Sequence, residues 1–338
     1  MSCLTAKFLS LSKRKLMPTI LKIDEIKSLL KKVDINHAME IGFKAYSNGQ
    51  SVVPPVGELL FNNPPGDVHI KYGYILDDDY YVIKIASGFY ENPKLGIASG
   101  QGLMLLFKQQ TGQLVTLLLD GGYLTDIRTA AAGALAAQYF APKNVRAIGI
   151  IGTGIQAKFQ LQHLQKILTC RDVWLWGRNE RHAEKLKHDL GSNWNIHIAT
   201  SPSQVAQHCQ LLVTTTPSET ALLHADDIQA GTHITAVGSD TATKQELSGD
   251  LLKKADLIIA DSLPQSKSRG EIHQATRGGF IQTNDVYELG AAIQDPKLQR
   301  KNDHQITIVD LTGVAVQDIM IAKSVYLQHL LTQQDAQL

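Results

Sequence analysis

Three cysteines in 338 residues, Cys3, Cys170 and Cys209, are too few and too scattered for a disulfide framework, and no C-x-x-C pair occurs. No sign of charge dominates. Against 33 Lys and Arg stand 32 Asp and Glu, and the basic residues are dispersed, so the cationic face that nucleic acid requires is missing. No apolar run approaches the roughly 20 residues of a membrane span. Residues 1–16 place Lys13-Arg14-Lys15 behind a short mixed run with Phe8, Leu9 and Leu11, the reverse of a secretory signal, and read as an N-terminal extension. The expectation is a soluble, cytoplasmic protein with no nucleic-acid or membrane partner and no metal. At this length the chain can build two domains with cores of their own.

What is present is organised around Val145 to Leu168, VRAIGIIGTGIQAKFQLQHLQKIL. An apolar β-branched run ends at Gly152-Thr153-Gly154, and a helical pattern opens at once with Ile155-Gln156-Ala157. The spacing G-x-G-x-x-A is the dinucleotide fingerprint: Gly152 for the tight turn, Gly154 for approach of the pyrophosphate, Ala157 for close packing of helix on strand. The helix N-terminus offers free N–H groups to phosphate. Gly-rich turns also end strands for purely structural reasons, so the context decides.

Upstream, Asp24 is expected to cap a short helix to about Lys32, and Asp34 or Asn36 a second through Tyr46. Strand character follows at Val68 to Ile75, Tyr80 to Ala86, Leu103 to Phe107 and Leu114 to Leu119, joined by turns too short for helical crossovers. An antiparallel or mixed sheet is implied. After Gly121-Gly122 comes an Ala-rich helix from Leu124 to Phe140, ended by Pro142. Strands then alternate with helices: Val145 to Ile151, Val173 to Trp176, Ile196 to Ile198, Leu211 to Thr214, His233 to Val237, Leu257 to Ala260 and Ile306 to Val309. That alternation argues a parallel, doubly wound sheet. A last helix, Val314 to Leu331, carries Ile319, Ala322, Tyr326 and Leu330 on one face, with Val325 beside them, and is expected to return to the first domain.

The end of the second strand of a dinucleotide-binding unit meets the adenine ribose, where an acid favours a free 2′-hydroxyl and an arginine accommodates a 2′-phosphate. Here it reads Trp176-Gly177-Arg178-Asn179, so NADP(H) is favoured, with NAD(H) as a second form. A solvated arginine at a strand end is the plainer account. The loops Thr214-Thr215-Thr216-Pro217 and Val237-Gly238-Ser239-Asp240 follow apolar strands and are expected at the nicotinamide crevice, though Thr and Ser are ordinary turn residues.

Three charged side chains require an explanation. Lys84 interrupts an apolar strand and must either reach water from an edge or meet an anion. Arg128 lies near the start of the Ala-rich helix, where the dipole disfavours a cation; a carboxylate ligand or a salt bridge with Asp126 or another acid accounts for it. Asp240 either nucleates a turn, with Thr243 and Glu246 at capping-box spacing, or acts on a substrate nitrogen.

Four stretches together resemble the ornithine cyclodeaminase/mu-crystallin family: Thr125-Asp126-Ile127-Arg128-Thr129-Ala130-Ala131; the fingerprint; Gly238-Ser239-Asp240 with Lys244-Gln245-Glu246-Leu247; and Asp310-Leu311-Thr312-Gly313-Val314-Ala315-Val316-Gln317-Asp318. With Gly270-Glu271-Ile272 they extend the likeness over nearly all of residues 20–326. The resemblance implies an α/β protein: a Rossmann-type doubly wound domain, 124–313, and a smaller α+β domain, 17–123 with 314–338, that binds substrate and forms a homodimer. It implies a small imino or amino acid substrate, with Lys84 and Arg128 on its carboxylate, Thr312 and Gly313 beside it, and Asp240 on its nitrogen. Lys84 and Asp240 would be the catalytic pair. Gly152, Thr153, Gly154, Ile155, Gln156, Arg178, Asn179, Thr215, Val237 and Gly238 would hold the cofactor. Members commonly carry an arginine in the segment that reads Pro55-Val56-Gly57-Glu58 here, and Gly57 is expected to remove that cation. Within the family, Arg178 favours net reduction, of Δ1-pyrroline-2-carboxylate to L-proline. Ornithine cyclodeaminase, alanine dehydrogenase and a non-enzymatic binder of NADP(H) and a small ligand are the alternatives.

Overall fold

The structure, a computed structural model, describes residues 17–89 and 91–335; the expected N-terminal extension, Cys3 and residues 336–338 lie outside them. The chain builds two sheets. Strands β1 (Thr19–Lys22), β2 (Ser51–Val52), β3 (Gly57–Asn62), β4 (Pro65–Ile75), β5 (Tyr80–Phe89), β6 (Gly100–Lys108) and β7 (Leu114–Leu119) form the first, in the order β1-β7-β6-β5-β4-β2 with β3 also on β4. Only the β1–β7 pair is parallel, so the sheet is mixed. The first three strands went unanticipated. β1 and β2 are very short, and Leu59, Leu60 and Phe61 of β3 are all exposed, leaving no alternation to read.

Alternation does govern β4 to β7. Lys71 stands directly opposite Lys84, Lys84 opposite Met104, and Met104 opposite Leu118. Paired residues share a face, so these four, with Val82 and Leu106, look inward and are buried. The C-terminal helix, Ala315–Asp335, lies across β4, β5 and β6 on that face and packs against the helix Ile35–Ser47 and the Ala-rich helix Tyr123–Phe140. Its stripe of Ile319, Ala322, Val325 and Tyr326 is buried as the spacing predicts, with Tyr326 edge-on to Tyr80 at 5.6 Å. Asp34 caps Ile35–Ser47 by accepting from His37 N at 3.0 Å. Asp24 does not cap: the helix Ile23–Leu30 follows β1 without a break, leaving Asp24 inside the first turn while Glu25 accepts from Lys22 N at 3.0 Å.

The second sheet is parallel throughout. Its strands are β8 (Ile148–Ile151), β9 (Asp172–Trp176), β10 (Asn195–Ile198), β11 (Leu211–Thr214), β12 (His233–Ala236), β13 (Leu257–Ala260), β14 (Val286–Glu288) and β15 (Thr307–Asp310), ordered β10-β9-β8-β11-β12-β15-β13-β14. Every residue of β8, β11, β12, β13 and β15 is buried, as a sheet covered on both faces requires. The three-residue β14 escaped the pattern reading. Strand order reverses between β8 and β11, which makes the fingerprint turn the topological switch point. The last strand, β15, inserts between β12 and β13 and so delivers Asp310 to Gly313 beside the loop that carries Asp240.

Candidate active site

Gly152 has φ of 126°, and a Cβ there would lie 2.3 Å from Thr215 Oγ1, so only glycine lets the turn close on the loop after β11. At Gly154 the Cβ position meets nothing within 4 Å: the backbone at the start of helix Ile155–Leu164 faces open space. Ala157 is fully buried beneath it. This cradle fits a pyrophosphate. A cleft of 710 Å³ runs from it, lined by Gly152, Thr153, Gly154, Arg178, Asn179 and Thr215 among others. Asn179 also caps the helix Glu180–Leu190, accepting from Arg181 N at 3.0 Å.

Four expected cofactor residues are not on that lining. Ile155 is 53% exposed and borders a smaller neighbouring cavity. Gln156 donates to Asp126 Oδ1 at 3.0 Å and so ties the fingerprint helix to the Ala-rich helix. Burial, opposed by that bond, pushes the Asp126 carboxyl up to about 6. Val237 N donates to Thr214 O at 3.0 Å, and Gly238 N to Glu246 Oε2 at 2.9 Å. Glu246, expected in a capping box, instead accepts from Thr214 Oγ1, Thr216 N, Thr216 Oγ1 and Gly238 N, lashing the loops after β11 and β12 together. The helix that follows, Gly249–Lys254, begins after Ser248. Burial pushes the Glu246 carboxyl up to about 7 although these four donors oppose the shift.

The cationic residues converge elsewhere, between the first sheet and the C-terminal helix. Lys84 sits on a central strand rather than an edge, with only 2% exposure, and meets Asp318 Oδ2 at 4.0 Å. Arg128, also buried, donates through Nε to Asp318 Oδ1 at 3.1 Å and through Nη1 to Gln317 Oε1 at 3.1 Å. The acid that answers Arg128 is therefore Asp318, 190 positions along the chain, and not the Asp126 that sequence proximity suggests. Lys71, which the sequence reading passed over, joins them: 5% exposed, it donates to Thr312 O at 3.2 Å and to Gly313 O. A Cβ on Gly313 would lie 2.8 Å from Arg128 Nη1 and 3.0 Å from Lys71 Nζ, and φ of 80° independently reserves the position for glycine. Thr312 Oγ1 donates to Asp261 Oδ1 at 2.9 Å and Gly313 N donates to Asp261 Oδ2 at 2.6 Å, which fixes this turn.

Asp240 lies in the loop after β12, its side chain 38% exposed and its Oδ1 2.7 Å from Lys244 Nζ. Desolvation works to raise its pKa, but Lys244, Lys71 and His69 outweigh it and hold the carboxyl below its usual range. Arg269 Nη1 donates to Asp240 O at 3.3 Å while Nη2 pairs with Glu58 at 2.9 Å, spanning from the second sheet to β3. The Asp240 charge acts on both Lys71 and Lys84, so a buried cationic cluster and a more exposed carboxylate lie near one another.

The strand register changes the meaning of Gly57. Gly57 pairs with Ile70, and a Cβ there would lie 3.4 Å from Ile70 Cβ, on the face opposite Lys71 and Lys84. Glu58, opposite His69, holds the inward position. In this structure a side chain at 57 points away from the cations, so its absence takes nothing from them.

The chain is similar to known proteins over nearly all of its length. The model described as the ornithine cyclodeaminase/mu-crystallin family matches residues 16–332. The chain is 39% identical over 313 residues to an uncharacterized cyclodeaminase of Sinorhizobium fredii, covering 90% of this chain and 95% of that protein. It is 28% identical to a Δ1-pyrroline-2-carboxylate reductase of Bacillus cereus, over 91% and 95% of the two chains. Among solved structures, an archaeal alanine dehydrogenase dimer with bound NAD superposes with a TM-score of 0.84 at 34% identity, covering 94% of this chain and 97% of that one.

Proposed function

Because the chain belongs to the ornithine cyclodeaminase/mu-crystallin family, we propose that it reduces a small cyclic imino acid, Δ1-pyrroline-2-carboxylate to L-proline, with NADPH as the preferred cofactor and NADH as the second. The observation that carries this reading is the polarity of the site. A buried cationic end built by Lys84 and Arg128 is set against the Asp240 carboxylate. A ring that bears a carboxylate on the carbon next to its imine nitrogen presents the complementary charges.

When bound in the cleft, the reduced nicotinamide supplies hydride. Lys84 and Arg128 bind and orient the carboxylate, Arg128 through its planar fork, with Thr312 and Gly313 shaping the wall behind it. Asp318 and Gln317 hold Arg128 in position from the C-terminal helix. Asp240, kept ionised, stabilises the protonated imine nitrogen rather than donating a proton to it, and so raises the share of substrate present as the electrophilic iminium. Lys244 must yield its contact with Asp240 as the substrate nitrogen arrives. Arg178, on the cleft wall two residues beyond β9, is assigned to the 2′-phosphate.

We further assign residues 17–123 with 314–335 to a substrate-binding and dimerisation unit and 124–313 to the cofactor unit. Homodimerisation fits the exposed Leu59, Leu60, Leu95 and Ile97 on and beside the first sheet. Among the described residues no helix is long and apolar enough to cross a membrane, and Cys170 and Cys209 are free thiols, in keeping with a reducing cytoplasm. A second reading, oxidation of an open-chain amino acid, draws support from the 34% identical alanine dehydrogenase.

The test follows NADPH and NADH oxidation with Δ1-pyrroline-2-carboxylate, alongside L-ornithine with NAD and an ammonia readout, and pyruvate with ammonia. Fast imine-dependent oxidation without ornithine deamination is the expected result. Ammonia release from ornithine, or turnover confined to pyruvate, would overturn it.

A further inference from the structure

We propose that Lys71, on β4, is a substrate-carboxylate ligand of this site, a third cation that completes the anion pocket begun by Lys84 and Arg128. The inference rests on the reading of the site as an acid-binding one, but not on which acid is turned over.

Three observations carry it. First, Lys71 lies opposite Lys84 on the inward face of the sheet and is buried, although no carboxylate among the described residues pairs with it directly. Its two hydrogen bonds go to the carbonyls of Thr312 and Gly313, which are neutral, and an ammonium group has three donors. Burying an ammonium group without an anionic partner is costly, so this amine is poised to gain its full charge when an anion arrives. Second, Lys71 Nζ and Arg128 Nη1 both lie within 3.0 Å of the point a Gly313 Cβ would occupy. Third, the charge balance is incomplete. Among the described residues, Lys71, Lys84 and Arg128 are answered at contact distance by Asp318 alone, whose Oδ2 accepts no hydrogen bond.

The groups that face Lys71 predict how it responds to ligand. Desolvation is the main effect, and with Lys84 on β5 and Arg128 on the Ala-rich helix it lowers the Lys71 pKa to about 7, against the pull of Asp318 and Asp240. Asp261, beneath Thr312 and Gly313, and His69, two residues along β4, are the remaining neighbours. With no ligand bound near neutral pH, Lys71 is therefore only partly protonated. An incoming carboxylate favours the charged form, and the site takes up a proton as the acid binds.

The experiment is titration calorimetry of the NADPH-loaded protein with pyrrole-2-carboxylate and with its uncharged amide, at pH 7.5 in buffers of different ionisation enthalpy, for wild type, Lys71→Met and Lys71→Gln. L-Proline, pyruvate and L-alanine complete the set of acids. The acids should bind wild type with fractional proton uptake. Both variants should lose that uptake and bind the acids about 10- to 100-fold more weakly, while amide affinity and cofactor affinity stay within about twofold. Acid binding and proton uptake unchanged in both variants would overturn the proposal, as would failure of wild type to bind any of the acids. Lys71-dependent acid binding in a protein that does not turn over Δ1-pyrroline-2-carboxylate would leave Lys71 in place and discard the reductase reading. Turnover of that imine unaltered by loss of Lys71 would do the reverse.

Discussion

Asp318 Oδ1 accepts from Arg128 Nε at 3.1 Å, a buried pair that joins the C-terminal helix to the Ala-rich helix across 190 positions of sequence. The same carboxylate is the anion nearest Lys84. Removing one member of a buried ion pair leaves the other uncompensated, which typically costs about 3–5 kcal/mol. Asp318→Asn should lower unfolding stability by about that amount, and a saturating carboxylate ligand should recover part of it. Denaturant unfolding with and without acid checks this; a loss below about 1 kcal/mol would show that the cations are solvated rather than held by Asp318.

Asp240→Asn should lower kcat about 100-fold or more with cofactor affinity unchanged, because the amide cannot balance a cationic nitrogen. Since its surroundings hold the Asp240 carboxyl below its usual range, it stays ionised throughout the neutral region. An acidic limb in the kcat/KM profile above about pH 5 must then come from another group, and a limb that vanished in Asp240→Asn would refute this assignment.

Arg178→Asp should shift the ratio of kcat/KM values from NADPH toward NADH, chiefly through the KM for cofactor. An unaltered ratio would reduce Arg178 to a solvated side chain at the end of β9.

Lys71 and Lys84 both have pKa values lowered first of all by burial, Lys71 to about 7. A base whose folded pKa lies below its unfolded one binds fewer protons when folded, so its contribution to stability rises with pH between about 7 and the ordinary lysine value near 10.4. Lys71→Met should flatten that rise in stability curves measured across this window. Identical slopes in wild type and variant would mean that Lys71 stays charged in the fold.

Gly57→Arg should leave acid affinity within about twofold, because its side chain would leave β3 on the face away from Lys71 and Lys84. Tighter acid binding in this variant would place position 57 inside the site.

The local signals were legible because they are short-range. A β-branched run into G-x-G-x-x-A, strands alternating with helices, and an apolar stripe on the last helix each depend on residues within a few turns of one another, and all three formed as read. Arg128 could likewise be singled out, since a cation at the positive end of a helix conflicts with local electrostatics. Its partner could not. Choosing Asp318 over Asp126 required the C-terminal helix to fold back across β4 to β6, an outcome of packing rather than of proximity in sequence.

Lys71 illustrates the same limit. In His69-Ile70-Lys71-Tyr72 it reads as one polar position of a half-exposed strand, and only its pairing with Lys84 and the cover supplied by Thr312 and Gly313 bury it. Register also decided that Glu58, not position 57, looks inward, because one residue along a strand reverses the face. The amino-acid sequence by itself determined the elements, the cofactor turn and which charges were out of place. Tertiary structure alone decided which of those charges meet, because strand register and the return of the last helix are set by burial of the whole inner face.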